Sequence, residues 1–318
     1  MSASDDDAEA RELRRGTVYG AGAYLLWGAF PLYFRALKPA GAVEIVVHRV
    51  AWSLVVCLLL LAATRQVAWV RPLLRAPRQL ATLAVAALCI ALNWGIYVYA
   101  VNSGHVVEAA LGYFINPLVT VLFGVLVLRE RLSRPQWVAV GLGAVAVVVL
   151  TAGYGRPPWI ALSLAASFAT YGLMKKRVGV NVGAVASLTT ETALLFPLAA
   201  AALVWLEVTG RGTMTVDAPW HGLLLASTGV ATALPLLLFA ASARRVPLVT
   251  IGLLQFVTPV LQLLVGVLLL GESVPLSRWV GFAIVWSALV VLTVDSVQAS
   301  RRRRSRALVA TTVPEQAP

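Results

Sequence analysis

The sequence predicts an all-α integral membrane protein of ten transmembrane helices, arranged as two inverted five-helix repeats. Three observations carry that expectation. Hydrophobic residues make up 59% of the 318 positions and charged residues 13%, against about 25% charged in ordinary soluble domains. Apolar runs reach the roughly 20 residues that carry a helix across a bilayer, as in Val106–Leu128 and Val246–Leu270. The third observation is a repeat. Shifted by 142 residues, the stretch 117–150 lies on 259–292, so that Pro117 meets Pro259, Gly124 meets Gly266, Glu130 meets Glu272 and Trp137 meets Trp279.

The elements follow in order. Residues 1–15, with Asp5, Asp6 and Asp7, form a polar N-terminal segment without a short apolar core and small-residue cleavage site, so the first span is expected to insert uncleaved. The first repeat, 16–152, holds spans at 16–35, 44–63, 79–101, 106–128 and 134–152. The second, 157–295, holds spans at 157–176, 184–206, 219–243, 247–270 and 276–295. Residues 298–318, with Arg301–Arg304 and Arg306, read as a disordered basic tail. Basic residues favour cytoplasmic loops. With the N-terminus cytoplasmic, twenty of the 26 Lys and Arg fall on that side, five fall in outer loops, and Arg49 lies inside a span. Both termini are therefore expected in the cytoplasm, which needs an even number of spans. Five spans per half is odd, so the halves enter from opposite faces, as in many secondary transporters.

Polar chemistry is expected near the bilayer midplane. Pro117 and Pro259 lie near the middles of the fourth and ninth spans, and each leaves a backbone carbonyl one turn back without its helical partner. Paired breaks of this kind point to a central site; a packing kink is the alternative. Glu108, Gly112 and Asn116 share one helix face, beside Tyr113. The related positions in the ninth span are Thr250, Leu254, Gln255 and Thr258, so the acid has no counterpart there. Ionisable residues within spans are costly and point to function; here they are Glu44, His48, Arg49, Glu108 and Glu191. Glu108 reads either as a proton carrier or as a structural partner of His48 or Arg49. Glu44 is placed at the interface. His48 and Glu191 start their helices from opposite faces and are candidate gates. Tyr24, Trp27, Asn93, Trp94, Tyr97 and Tyr171 supply aromatic walls and an amide for a modestly polar organic solute. Glu130 and Glu272 read as caps of the fifth and tenth spans. Small residues such as Gly141 and Gly143 suit close packing, so the fifth and tenth spans are expected to form scaffold or a homodimer surface.

Other chemistries find no pattern. The net charge of +12 lies in loops and tail and not on a folded basic face, so no nucleic-acid partner is expected. Cys57 and Cys89 sit in apolar runs, and with three His in the chain no metal site is expected. No phosphate-binding loop, Ser–His–Asp set or HExxH occurs, so neither an enzyme nor a cofactor is expected.

The stretches Tyr24–Gly28 (YLLWG), Glu44–Trp52 (EIVVHRVAW), Asn93–Trp94, Ala100–Asn102, Glu108–Pro117 (EAALGYFINP) and Glu130 resemble the RarD-type proteins of the EamA family, in the drug/metabolite transporter superfamily. The resemblance runs over about residues 14–297, with Glu108–Pro117 its most specific part and the second half matching more loosely. It implies ten helices in two five-helix repeats and a bacterial plasma-membrane permease, in a group labelled by chloramphenicol sensitivity or resistance. The expected function is export of a small organic solute by alternating access, with proton coupling through Glu108, His48 and Arg49 as one form of it. A non-transporting scaffold or assembly protein and a lipid flippase stay open as alternatives.

Overall fold

The computed structural model describes residues 3–65, 67–129, 132–178, 183–215, 219–243, 245–246 and 254–312. Among these, every regular element is a helix. They are α1 (Ala3–Ala36), α2 (Ala42–Thr64), α3 (Pro77–Asn102), α4 (Val106–Leu128), α5 (Arg134–Tyr154), α6 (Trp159–Val178), α7 (Ala184–Val208), α8 (Pro219–Ala243), α9 (Val257–Leu269, its last five residues a π turn) and α10 (Leu276–Thr312). A five-residue helix, Val70–Leu74, joins α2 to α3.

Among the described residues, seven helices are long and apolar enough to cross a membrane: α2, α3, α4, α5, α7, α8 and the first part of α10. The side chains these helices leave exposed include large apolar ones, among them Leu59, Val148, Leu198 and Leu223. That is the outward face expected where lipid is the solvent. Of the remaining three, α1 opens on a charged segment, α6 ends in Lys175, Lys176 and Arg177, and α9 is short in its described part.

Two expectations about the ends need correcting. Residues 3–15 are not a separate segment but the first turns of α1. The tail expected to be disordered continues α10 as helix through Thr312. Arg and Ala are strong helix formers, and no Gly or Pro interrupts them before Pro314.

The helices pack in a definite pattern. α5 lies along α10; α4 packs on α6 and α9; α3 packs on α6 and α7; α2 packs on α7 and α8; α1 packs on α8 and α9. Between the α4, α5 and α10 faces lies one apolar core of Phe114, Ile115, Leu118, Leu150, Phe282 and Val285. A second, around Phe34, Tyr97, Val101 and Ile160, joins α1, α3 and α6. In lipid such cores are held by close van der Waals fit, since the tails outside are as apolar as the side chains inside. Gly112 illustrates the fit: a Cβ there would lie 2.8 Å from the Ala161 carbonyl oxygen, so only glycine lets α4 come this close to α6.

Polar contacts tie the two ends of the bundle. At the end carrying the chain termini, Ser133 caps α5 in a reciprocal box with Gln136 and donates to Asp295 Oδ2 at 3.0 Å. At the opposite end, Glu272 accepts from the Val106 and Val107 N–H groups at 2.6 and 2.9 Å. Glu272 therefore caps α4, not the tenth span as its position in sequence suggested. The π turn of α9 returns the chain toward the free N–H groups that open α4. Glu130, expected as the related cap, and Thr250 lie outside the described residues.

Candidate solute site at the bundle centre

Arg49 is the centre of the site. It sits in mid α2 with 5% of its surface exposed. Its Cζ lies 4.0 Å from the Trp94 ring centroid and 5.5 Å from those of Phe30 and Phe34. Its Nε donates to Thr232 Oγ1 of α8 at 2.8 Å. An arginine carries five N–H donors; the other four, on Nη1 and Nη2, have no hydrogen-bond partner among the described residues. No carboxylate among them pairs with it either. Burying an uncompensated charge costs several kcal/mol even after relaxation. Each desolvated cation–π contact offsets about 2 kcal/mol of that. The rings thus make the charge tolerable, but they act on the charge and leave the N–H donors unspent.

The cage comes from local sequence spacing. Trp27, Phe30 and Phe34 recur three and four residues apart on α1 and so share a face. Trp94 and Tyr97 do the same on α3. Tyr97 packs edge-on against Phe34 at 5.9 Å and Tyr113 at 5.7 Å. Among the described residues, its buried hydroxyl, the buried Oδ1 of Asn116 one turn beyond Tyr113, and Nδ1 of His48, which is 6% exposed beside Arg49, have no hydrogen-bond partner. Arg49, expected with Glu108 and His48 in coupling, instead lies beside Trp94, Tyr97 and Tyr113, and Phe30, Phe34 and Thr232 join them. The α1 stripe was legible from its spacing. Thr232 was not, because nothing local marks its pairing with a residue 183 positions away.

Other predicted site residues are spent on packing. The Asn93 amide donates to the Leu164 carbonyl and Ser167 Oγ, both at 3.0 Å, fastening α3 to α6, and its Oδ1 accepts from the Tyr113 hydroxyl at 3.5 Å. Thr258 donates to the Tyr24 carbonyl at 2.8 Å, and Gln262 to the Trp27 carbonyl at 3.2 Å, fastening α9 to α1. Tyr24 and Trp27 also stack with each other at 5.4 Å and with Phe239. Gln255 is half-buried in the turn before α9. The two prolines differ: α4 runs unbroken through Pro117, whereas Pro259 sits in the first described turn of α9, where a missing N–H costs nothing. A turn at 255–256 interrupts the helix between Leu254 and α9, just before Pro259.

The buried acids are all engaged. Glu108, 2% exposed, accepts from Arg156 Nη2 at 3.0 Å and from the Ile160 N–H at 3.1 Å. Its partners are therefore the loop before α6 and the first turn of α6, and not His48 or Arg49. Glu44, buried in the first turn of α2, accepts from the N–H and hydroxyl of the loop residue Thr213 at 2.5 and 3.0 Å. Since the Thr213 proton goes to the carboxylate, His221 Nε2 donates to Thr213 Oγ1 at 2.7 Å. Glu191 accepts from Lys175 at 2.7 Å, Ser187 at 2.8 Å and the Tyr171 hydroxyl at 3.3 Å. Lys175 also donates to Ser187. Tyr171 thus belongs to this second cluster and not to the Arg49 cage.

A groove of about 770 Å³ lies elsewhere, on the outer face between α9 and α10. Phe114, Val260, Leu264, Trp279 and Trp286 line it, with Thr293 its one polar side chain.

A bundle of lipid-length helices that turns apolar side chains outward and buries its polar and charged ones between helices defines a multi-span membrane protein. Similarity to known proteins narrows that class. The EamA-like transporter family matches residues 14–152 and again 157–294. Protein RarD of Streptomyces exfoliatus is 55% identical over 295 residues, 93% of each chain. An uncharacterized transporter of Pseudomonas aeruginosa is 43% identical over 293 residues, 91% of this chain and 97% of its own. A solved crystal structure, 18% identical, covers 88% of this chain and 97% of its own with a TM-score of 0.56, and so shares the fold. The chain belongs to the EamA-like transporter family, and to its RarD type.

Proposed function

We propose that the chain is a secondary transporter of a small organic solute, working by alternating access between two inverted five-helix halves, α1–α5 and α6–α10. The observation that carries this reading is the helix pairing. Exchange α1 with α6, α2 with α7, α3 with α8, α4 with α9 and α5 with α10. The pair α4–α6 becomes α9–α1, α3–α6 becomes α8–α1, and α2–α8 becomes α7–α3, while α2–α7, α4–α9 and α5–α10 map onto themselves. All of these are observed contacts, as a two-fold relation requires. Arg49 and its cage lie where α1, α2, α3 and α8 converge, so both halves contribute to the site, as a rocking mechanism needs.

The loop charges support a plasma-membrane protein with both termini cytoplasmic. Outward movement of the solute is the direction we assign. The α5–α10 pair, with Trp137 and Trp279 on its exposed side, is the surface we assign to a homodimer. The outer groove offers no polar track for a lipid headgroup, which favours a solute over a lipid as cargo.

Flux in proteoliposomes tests the reading. The purified chain is reconstituted with an imposed proton gradient, and amphenicols, amino acids and organic acids are offered in turn. Saturable flux of at least one solute that needs the protein is expected. Intact, correctly inserted protein that moves none of them makes it a scaffold.

A further inference from the structure

Resting on that transporter reading, we infer that the solute is a hydrophobic monocarboxylate, held by Arg49. Three features of the site point to this. Nearly all of Arg49 is buried, yet the hydrogen bond it makes among the described residues uses Nε alone. The guanidinium fork with its two terminal nitrogens free matches the two oxygens of a carboxylate. The ionisable side chains that face it are the phenols of Tyr33, Tyr97 and Tyr113 rather than acids, so no anion among the described residues competes for it. Tyr97 adds a second unspent polar group, its buried hydroxyl lacking a partner.

The same surroundings select the rest of the molecule. Trp94, Phe30 and Phe34 wall the guanidinium, and Trp27 packs against the same cluster, so the body beyond the carboxylate meets rings. A dianionic phosphate would leave one charge uncompensated by a single guanidinium. An amino acid would bring an ammonium, and the buried carboxylates among the described residues are committed: Glu108 to Arg156, Glu191 to Lys175, and Glu44 to Thr213. The fit is therefore to one negative charge on an apolar or aromatic frame.

Four probes separate these cases: 3-phenylpropionate, its uncharged amide, phenylalanine and inorganic phosphate, each titrated against the thermal midpoint of the purified full chain. The acid is expected to raise the midpoint in a saturable way, with the other three at least about tenfold weaker. Arg49→Gln is expected to remove the response, and Arg49→Lys, which keeps the charge but loses the fork, to weaken it by about tenfold. If Arg49→Gln does not fold, the selectivity of the natural chain and the Arg49→Lys response decide. Equal response to acid and amide, stronger response to phosphate, or an unchanged response in the variants overturns the inference. Flux separates this from the transporter reading. Neutral solutes carried without competition from the acid leave a transporter and remove the anion site. Arg49-dependent binding of the acid without flux of any solute keeps the anion site and removes transport.

Discussion

Arg49 of α2 and Glu191 of α7 occupy the same place in the two halves, since the 142-residue offset carries one onto the other. Both are buried, at 5% and 2% exposed. Their surroundings differ. Glu191 collects three donors from its own half, Lys175, Ser187 and Tyr171, and its charge is neutralised where it lies. Arg49 receives aromatic faces and a single hydroxyl. The offset also carries Lys175 onto Tyr33, whose hydroxyl bonds Ser227 and the Leu224 carbonyl and offers Arg49 no counter-charge. One buried charge thus closes its own half, and the other has no counter-charge among the described residues. The difference teaches that near-symmetric helices need not carry a symmetric site.

Breaking the comparison at Arg49 should give the largest effect. Arg49→Met is expected to lower solute flux at least about 100-fold, equivalent to ~2.7 kcal/mol. Its thermal midpoint should hold or rise, because an apolar replacement removes an unpaired buried charge. A large fall in midpoint would mean instead that the arginine is a structural pillar. At the related position the signs reverse. Glu191→Met should destabilise by about 2–4 kcal/mol, the lower end favoured because Lys175 keeps 31% exposure and can rehydrate. The double variant Glu191→Met/Lys175→Met should recover most of that loss. No recovery would mean that Ser187 and Tyr171, and not the ion pair, hold the cluster.

Close packing comes next. Gly112→Val places a side chain against the Ala161 backbone, which cannot retreat as a flexible side chain would. Overpacking of this kind costs about 1–3 kcal/mol. The lower midpoint should come with lower flux, since Tyr113 and Asn116 ride on the same helix. Full flux with a lowered midpoint would detach α4 from the site.

The sequence made the membrane class, most helix positions and the aromatic groups near Arg49 legible, because each rests on local signals: apolar length, three-to-four spacing and the offset between halves. What it left hidden is which distant groups meet. Glu108 was read against His48 and Arg49, which lie at similar depth, but its partner is Arg156, 48 residues on. Glu272 was read as a local cap, yet it caps a helix 165 residues back. Asn93 looked free because the Leu164 carbonyl that it satisfies carries no sequence signal. Depth follows from counting residues along a helix, whereas pairing depends on the rotation of each helix in the bundle, which hydropathy does not encode.

Glu108 supplies the smallest expected effect and the clearest remaining decision. Glu108→Gln loses the charge of the pair with Arg156, but its amide oxygen still accepts from the Ile160 N–H. Arg156 is 39% exposed, so water screens the pair, and the loss should be about 1 kcal/mol or less. If Glu108 is only a latch between α4 and the start of α6, Arg156→Ala should behave like Glu108→Gln. The two changes together should cost no more than either alone, within about 0.5 kcal/mol. Proton flux accompanying the solute should then survive in both single variants. If Glu108→Gln abolishes proton flux while Arg156→Ala leaves it intact, the carboxyl itself carries the proton. Coupling would then reside near the start of α4, away from Arg49.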